Sequence, residues 1–153
     1  MKKLVRRLGI VSASALMLAL PVSAPAQAAT PYTPEAACST EFGGTWSRTS
    51  DGHRTLTAEY SGAKWGDVYL MYNRATGDNC VTTVKTKFLG TGNSMDARVY
   101  VQGASDWKRD QGYYNYYAAV RVSASGKCVK YDGAITTSSD YAMNGRYTWG
   151  NCG

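Results

Sequence analysis

Histidine occurs once in this chain and phenylalanine twice. The lone His53 sits in Asp51-Gly52-His53-Arg54, which reads as a polar turn. A serine-type triad needs a base held beside a nucleophile by a third group, and Ser47, Ser50 and Asp51 are merely near it in sequence. Beyond Leu20 no apolar run is long enough to cross a bilayer as a helix. No C-x-x-C pair is present to suggest a zinc site or a redox motif. After the first seven residues there is no Lys/Arg run, which argues against nucleic acid, whose backbone is held by clustered cations. A sustained helical period is also missing, so the fold must be built from something other than long helices.

The first residues have their own logic. Lys2, Lys3, Arg6 and Arg7 precede an apolar stretch ending at Leu20, then Pro21 and a small-residue tract closing on Ala26-Gln27-Ala28. Basic, apolar and Ala-x-Ala segments in that order are a signal peptide, with cleavage expected after Ala28. The general secretory route fits better than the twin-arginine one, because Gly9 follows Arg6-Arg7 where a bulky apolar residue is wanted. Without the leader's four cations, thirteen Lys and Arg face eleven Asp and Glu, so the exported part is nearly balanced. Residues 1–28 are thus read as a signal peptide and 29–153 as one secreted domain.

All four cysteines, Cys38, Cys80, Cys128 and Cys152, fall in the exported part. An even count in an oxidising compartment predicts two disulfides. Three pairings are possible. Cys38–Cys80 with Cys128–Cys152 is favoured, because each bridge then ties a chain end, where order otherwise fails, to a strand that follows a turn.

The clearest structural signal is residues 67–86. Val68, Leu70 and Tyr72 alternate with Tyr69, Met71 and Asn73, the period of a half-buried strand. Ala75-Thr76-Gly77-Asp78-Asn79 then supplies a turn, and Cys80 starts the return strand. About forty-eight positions later residues 119–131 repeat the design loosely, through duplication or by chance. Residues 96–102 alternate most cleanly, with Ala97, Val99 and Val101 inward and Arg98, Tyr100 and Gln102 outward. Thr33 and Pro34 suit the N-cap and first position of a short helical turn. Residues 41–55 read as a loop with one short strand, 103–112 as a polar loop, 113–122 as one long aromatic strand, and 146–149 as a last strand. Short strands at turn-separated intervals predict an all-β, antiparallel sandwich or barrel with two disulfides.

Twelve tyrosines and four tryptophans stand out, since nearly every ring carries a polar handle suited to a wet interface. In residues 113–122 strict alternation puts Tyr114, Tyr116, Ala118, Val120 and Val122 on the core side. Tyr113 and Tyr117 then point outward with Arg121 as a polar neighbour, and these three are the expected ligand-binding residues. Stacking on a sugar ring or packing on another protein would use them. Ordinary cross-strand packing is the competing account of the same tyrosines. Carboxylates are plentiful, but no pair is marked out by spacing as a glycosidase pair. Asp78-Asn79 and Asp132 offer oxygen ligands without a D-x-D-x-D-G loop. No metal, cofactor or catalytic residue is expected.

The segments Asp67-Val68-Tyr69-Leu70-Met71-Tyr72-Asn73, Thr76-Gly77-Asp78-Asn79-Cys80-Val81, Val101-Gln102-Gly103, Gly112-Tyr113-Tyr114-Asn115-Tyr116-Tyr117-Ala118 and Gly126-Lys127-Cys128-Val129-Lys130 resemble the spore-associated protein A family. These are small exported proteins of sporulating filamentous actinobacteria. The resemblance runs from Glu35 to Gly153 and takes in all four cysteines, with residues 46–64 richer in charge than the family pattern. It implies the outside of spores or the culture fluid as location and brings no reaction to carry over. The expected function is therefore a non-enzymatic, secreted component of the spore or cell envelope, with envelope components, polysaccharide among them, as partners. A carbohydrate- or cell-wall-binding module is the alternative. A third reading is an inhibitor that plugs a secreted hydrolase with the loop at residues 103–112.

Overall fold

Thr33 and Pro34 start the first element. In the computed structural model, which describes residues 31–153, Thr33 is extended and its Oγ1 accepts the Ala36 N–H at 3.1 Å. Pro34 follows at N1, where its missing N–H costs nothing, and helix α1 spans Pro34–Phe42. Gly43, at φ 68°, ends it. The signal peptide and its cleavage position lie outside the described residues.

Eight strands follow: β1 (Ser47–Thr57), β2 (Lys64–Asn73), β3 (Asp78–Lys85), β4 (Asn93–Val101), β5 (Lys108–Tyr114), β6 (Tyr117–Ser123), β7 (Val129–Thr136) and β8 (Tyr141–Gly150). They form two antiparallel four-stranded sheets, β1-β2-β3-β6 and β5-β4-β7-β8. The fold is all-β with two disulfides, joining Cys38 to Cys80 and Cys128 to Cys152.

Alternation along the strands decides what lies between the sheets. Val68 and Leu70 of β2, Val81 of β3, Met95, Ala97 and Val99 of β4, and Tyr131 and Ile135 of β7 meet in one buried cluster. Where β7 crosses the first sheet the layers approach closely. A Cβ added at Gly133 would lie 2.1 Å from Thr83 Oγ1 and 2.9 Å from the Val68 side chain, so only glycine fits. The opposite face of the first sheet is covered by α1, through Cys38, Trp46, Met71, Cys80 and Ala119, with Phe42, Tyr69 and Tyr117 at the margin. Hence β2 is buried on both sides, and its expected half-buried period describes the register but not the exposure.

The lateral edges are drawn together as well. On one side the chain passes from β5 straight into β6, from one sheet to the other. On the other side Ala58 bridges Ala142, and the Glu59 N–H donates to the Tyr141 carbonyl at 2.8 Å. The Asp140 carboxylate accepts the Tyr60 and Ser61 N–H groups there, each at 3.1 Å.

Several expectations are corrected. Residues 113–122 are not one strand: the chain turns at Asn115 and Tyr116 and changes sheet. Lys85 fixes that turn. Its side chain is fully buried, and its ammonium donates to the Thr91 carbonyl at 2.5 Å, Asn93 Oδ1 at 2.7 Å and the Tyr114 carbonyl at 2.9 Å, while its backbone N–H donates to the Tyr116 carbonyl at 2.9 Å. The loop assigned to residues 41–55 is largely β1, whose Ser, Thr and Arg residues suit an edge strand with a register break between Arg48 and His53. Strand β5 occupies the second half of the expected polar loop at residues 103–112. Residues 119–131 are a crossover and not a second hairpin, since β6 and β7 belong to different sheets. The last strand begins at Tyr141, earlier than expected, because Ala142 is buried against the bridge to Ala58.

Candidate functional site

One sheet has its outer face covered by α1, and the other does not. On β4 the inward Met95, Ala97, Val99 and Val101 leave Ser94, Asp96, Arg98 and Tyr100 pointing out. The register sets these beside Tyr113, Gln111 and Arg109 of β5, and beside Thr136, Ala134, Asp132 and Lys130 of β7. Strand β8 adds Tyr141, Met143, Gly145, Tyr147 and Trp149, with Ala142 and Arg146 turned inward. Between Tyr131 and Val129, β8 takes four steps to the two of β7, an even surplus that keeps its outward residues outward.

Seven large apolar or aromatic side chains are exposed among the described residues, and five of them are on this face: Tyr113, Tyr141, Met143, Tyr147 and Trp149. Such clustering, unlike scattered exposure, makes this face the candidate interaction surface. At one end Tyr100 lies between two indoles, 5.3 Å from Trp107 and 5.5 Å from Trp149 by ring centroids. The Lys130 ammonium stands 4.3 Å from the Trp149 ring, and the Arg98 guanidinium 5.7 Å from that of Trp107.

The centre of the face is ionic. Arg98 Nε donates to Asp132 Oδ1 at 2.6 Å and lies 3.8 Å from Asp96 Oδ2, which also accepts from Arg109. Asp96 Oδ1 is buried without a hydrogen-bond partner. Burial raises the Asp132 carboxyl above its ordinary range even against the pull of Arg98. Across from Asp132 stands Gly145, where a Cβ would come within 2.4 Å of the Asp132 Cβ. The pairing therefore leaves no side chain beside the carboxylate on that strand. Aromatic edges with fixed cations at one end suit a polyhydroxylated or mixed polar-apolar partner.

The three expected binding residues do not meet. Tyr113 is on this face and 82% exposed. Tyr117 and Arg121 lie on the other sheet beside α1, where the Tyr117 hydroxyl donates to Glu41 Oε1 at 2.8 Å and Arg121 sits 5.5 Å over the Phe42 ring. The sheet change at Asn115 and Tyr116 separates them. Sequence reasoning missed the β8 contribution, although Tyr141, Met143, Tyr147 and Trp149 all fall on odd positions. The intervening Gly145 and a Ser-rich approach masked that alternation.

His53 is in β1 and not in a turn. Its Nε2 lies 2.8 Å from Asp67 Oδ1, and its ring stacks on Tyr69 at 4.6 Å. Asp67 is buried and also accepts Thr55 Oγ1 at 3.2 Å and Lys64 at 2.8 Å. Among the described residues no hydroxyl or thiol is hydrogen-bonded to the second ring nitrogen. No helix of the described residues is long and apolar enough to cross a membrane.

No family model matches the chain, and no solved structure matches it. Among curated proteins it is similar to one named Spore-associated protein A, from Streptomyces coelicolor, with 41% identity over 71 residues. The match takes in 46% of this chain and 46% of that relative, so it spans about half the length of each. This curated relative supports the resemblance to the spore-associated protein A family, over 71 residues and not over the whole span from Glu35 to Gly153.

Proposed function

We propose that this chain is an exported, non-catalytic protein of the spore or cell surface, retained there through the bare outer face of its second sheet. The observation that carries this reading is the concentration of exposed Tyr113, Tyr141, Met143, Tyr147 and Trp149 on the one sheet face that α1 leaves uncovered. Two disulfides suit an oxidising compartment, and the relative's printed name supports a spore location. Fractionation of a sporulating culture into spores, medium and cytosol tests it. Recovery on spores or in the medium is expected, and recovery mainly from cytosol overturns it. A Tyr147→Ala, Trp149→Ala double variant should shift from the spore fraction to the medium while still unfolding in one cooperative transition.

The row Trp107, Tyr100 and Trp149, with Lys130 and Arg98 beside it, favours a second reading, that of a carbohydrate- or cell-wall-binding module. Pull-down on purified peptidoglycan and on glucans separates the two, since a surface component held by protein contacts would stay in the supernatant. An inhibitor reading rested on a loop at residues 103–112, much of which is β5.

A further inference from the structure

At the opposite edge from β8, where the chain changes sheet, a cleft of about 370 Å³ opens between α1, β5 and β6. Four tyrosines line it, Tyr32, Tyr114, Tyr116 and Tyr117, together with the carboxylates of Glu41 and Asp110. The Tyr32 ring is 5.6 Å from that of Tyr116 and 4.8 Å from that of Tyr117, tilted to both, so the three rings form a concave corner. No Lys or Arg lines the cleft.

Neither carboxylate has a cationic partner among the described residues. Asp110 accepts the Tyr114 hydroxyl and, at 3.0 Å, the Ala119 N–H, while Glu41 accepts the Tyr117 hydroxyl. Glu41 also sits in the last turn of α1, which carries no basic residue. A helix C-terminus is where the macrodipole disfavours an anion. Two carboxylates without a cationic partner, one of them on the last turn of a helix, thus line a space together with four tyrosine rings. Such a site attracts a cation, and aromatic walls select an organic one over a strongly hydrated metal ion.

We propose that this cleft binds a protonated or quaternary amino group, with the ammonium directed at Glu41 and Asp110 and its carbon substituents against Tyr32, Tyr116 and Tyr117. The site is separate from the bare face of the second sheet and stands or falls without it. Amino sugars, diamino-acid side chains and choline-like groups share this chemistry, and paired probes tell them apart.

The test is calorimetric or NMR titration of the full chain, with both disulfides formed, at low salt. Glucosamine is compared with N-acetylglucosamine, Nα-acetyl-lysine amide with Nα-acetylnorleucine amide, and choline with 3,3-dimethylbutanol. In at least one pair the cationic member should bind and its neutral or side-chain-uncharged counterpart should not. The pair with the largest contrast identifies the source. Glu41→Gln should weaken that binding by roughly tenfold or more, because it removes one of the two charges facing the ammonium, and added salt should weaken it too. Glu41 is at the surface, so this variant keeps the fold. An amide at this position can still accept the Tyr117 hydroxyl, which isolates the charge. The proposal is overturned if no cationic probe binds, if the paired compounds bind equally, or if Glu41→Gln leaves affinity unchanged.

Discussion

The Tyr117 hydroxyl reaches from β6 to donate a hydrogen bond to Glu41 of α1 at 2.8 Å. With the Tyr32 ring 4.8 Å from its own, Tyr117 links the N-terminal segment to the first sheet. Tyr117→Ala should therefore destabilise the protein by roughly 1–3 kcal/mol, and Tyr117→Phe, which loses only the hydrogen bond, by about 1 kcal/mol. Tyr113→Ala, at a site 82% exposed, should stay within about 0.5 kcal/mol of the parent. Urea denaturation of the three variants checks the order, and equal losses at Tyr113 and Tyr117 would contradict the sheet change between them.

Stability should pass through a maximum near pH 10. Burial of Lys85 among neutral oxygens lowers its pKa to about 8, so between there and the ordinary lysine value of 10.5 the unfolded chain holds more protons than the native one and stability rises with pH. Tyr114, through its bond to Asp110, and Tyr117, chiefly through burial, are pushed up to about 12. Their contribution is present below the unfolded value near 10 and is lost as pH climbs through 12. Denaturant midpoints across this range should show the rise and the fall. Lys85→Met should abolish the rise alone, and a parent profile flat from pH 8 to 10 would refute the desolvated ammonium.

Gly133→Ala should cost about 1–3 kcal/mol by overpacking, because the new methyl meets Thr83 and Val68 across the sandwich. A thermal melt suffices to check it. An unchanged midpoint would mean that the two sheets are farther apart at β7.

Removing a bridge should loosen different parts of the molecule. The double variant Cys38→Ser, Cys80→Ser should lose about 2–4 kcal/mol, with amide exchange accelerating first in α1 and last in β4 and β7. For Cys128→Ser, Cys152→Ser the acceleration should centre on residues 146–153. The start of β8 should stay protected, because Ala142 is buried and the Asp140 carboxylate holds the adjoining backbone.

Strand β4 was legible because its apolar period matches its burial, and the hairpin β2-β3 because its turn residues and alternation set the register even though both faces are covered. So was the pairing of all four cysteines, since Cys80 and Cys128 each follow a turn and are placed to hold Cys38 and Cys152, which lie farther out along the sequence. Residues 113–122 misled for a physical reason. Tyrosine suits strand, turn and helix contact alike, and what breaks the run is a lysine far away in sequence, Lys85, whose four oxygen partners come from residues 88 to 114. The charged β1 was similarly hidden, because a strand at a sheet edge needs few apolar residues. Of the three expected binding residues only Tyr113 lies on the bare face, and its neighbours on β8 were recognisable only once their strand was placed.

The paired edges bear on how copies of this protein could build a layer. Strand-by-strand polymers of the amyloid kind grow by adding backbone to an open sheet margin. Here the β5 and β6 edges are held together at the corner where the chain changes sheet, and the β1 and β8 edges meet at the Ala58–Ala142 bridge beside an irregular, charge-bearing β1. A layer of intact units joined through side chains would leave these corners closed, and salt or detergent could lift it apart without unfolding the units.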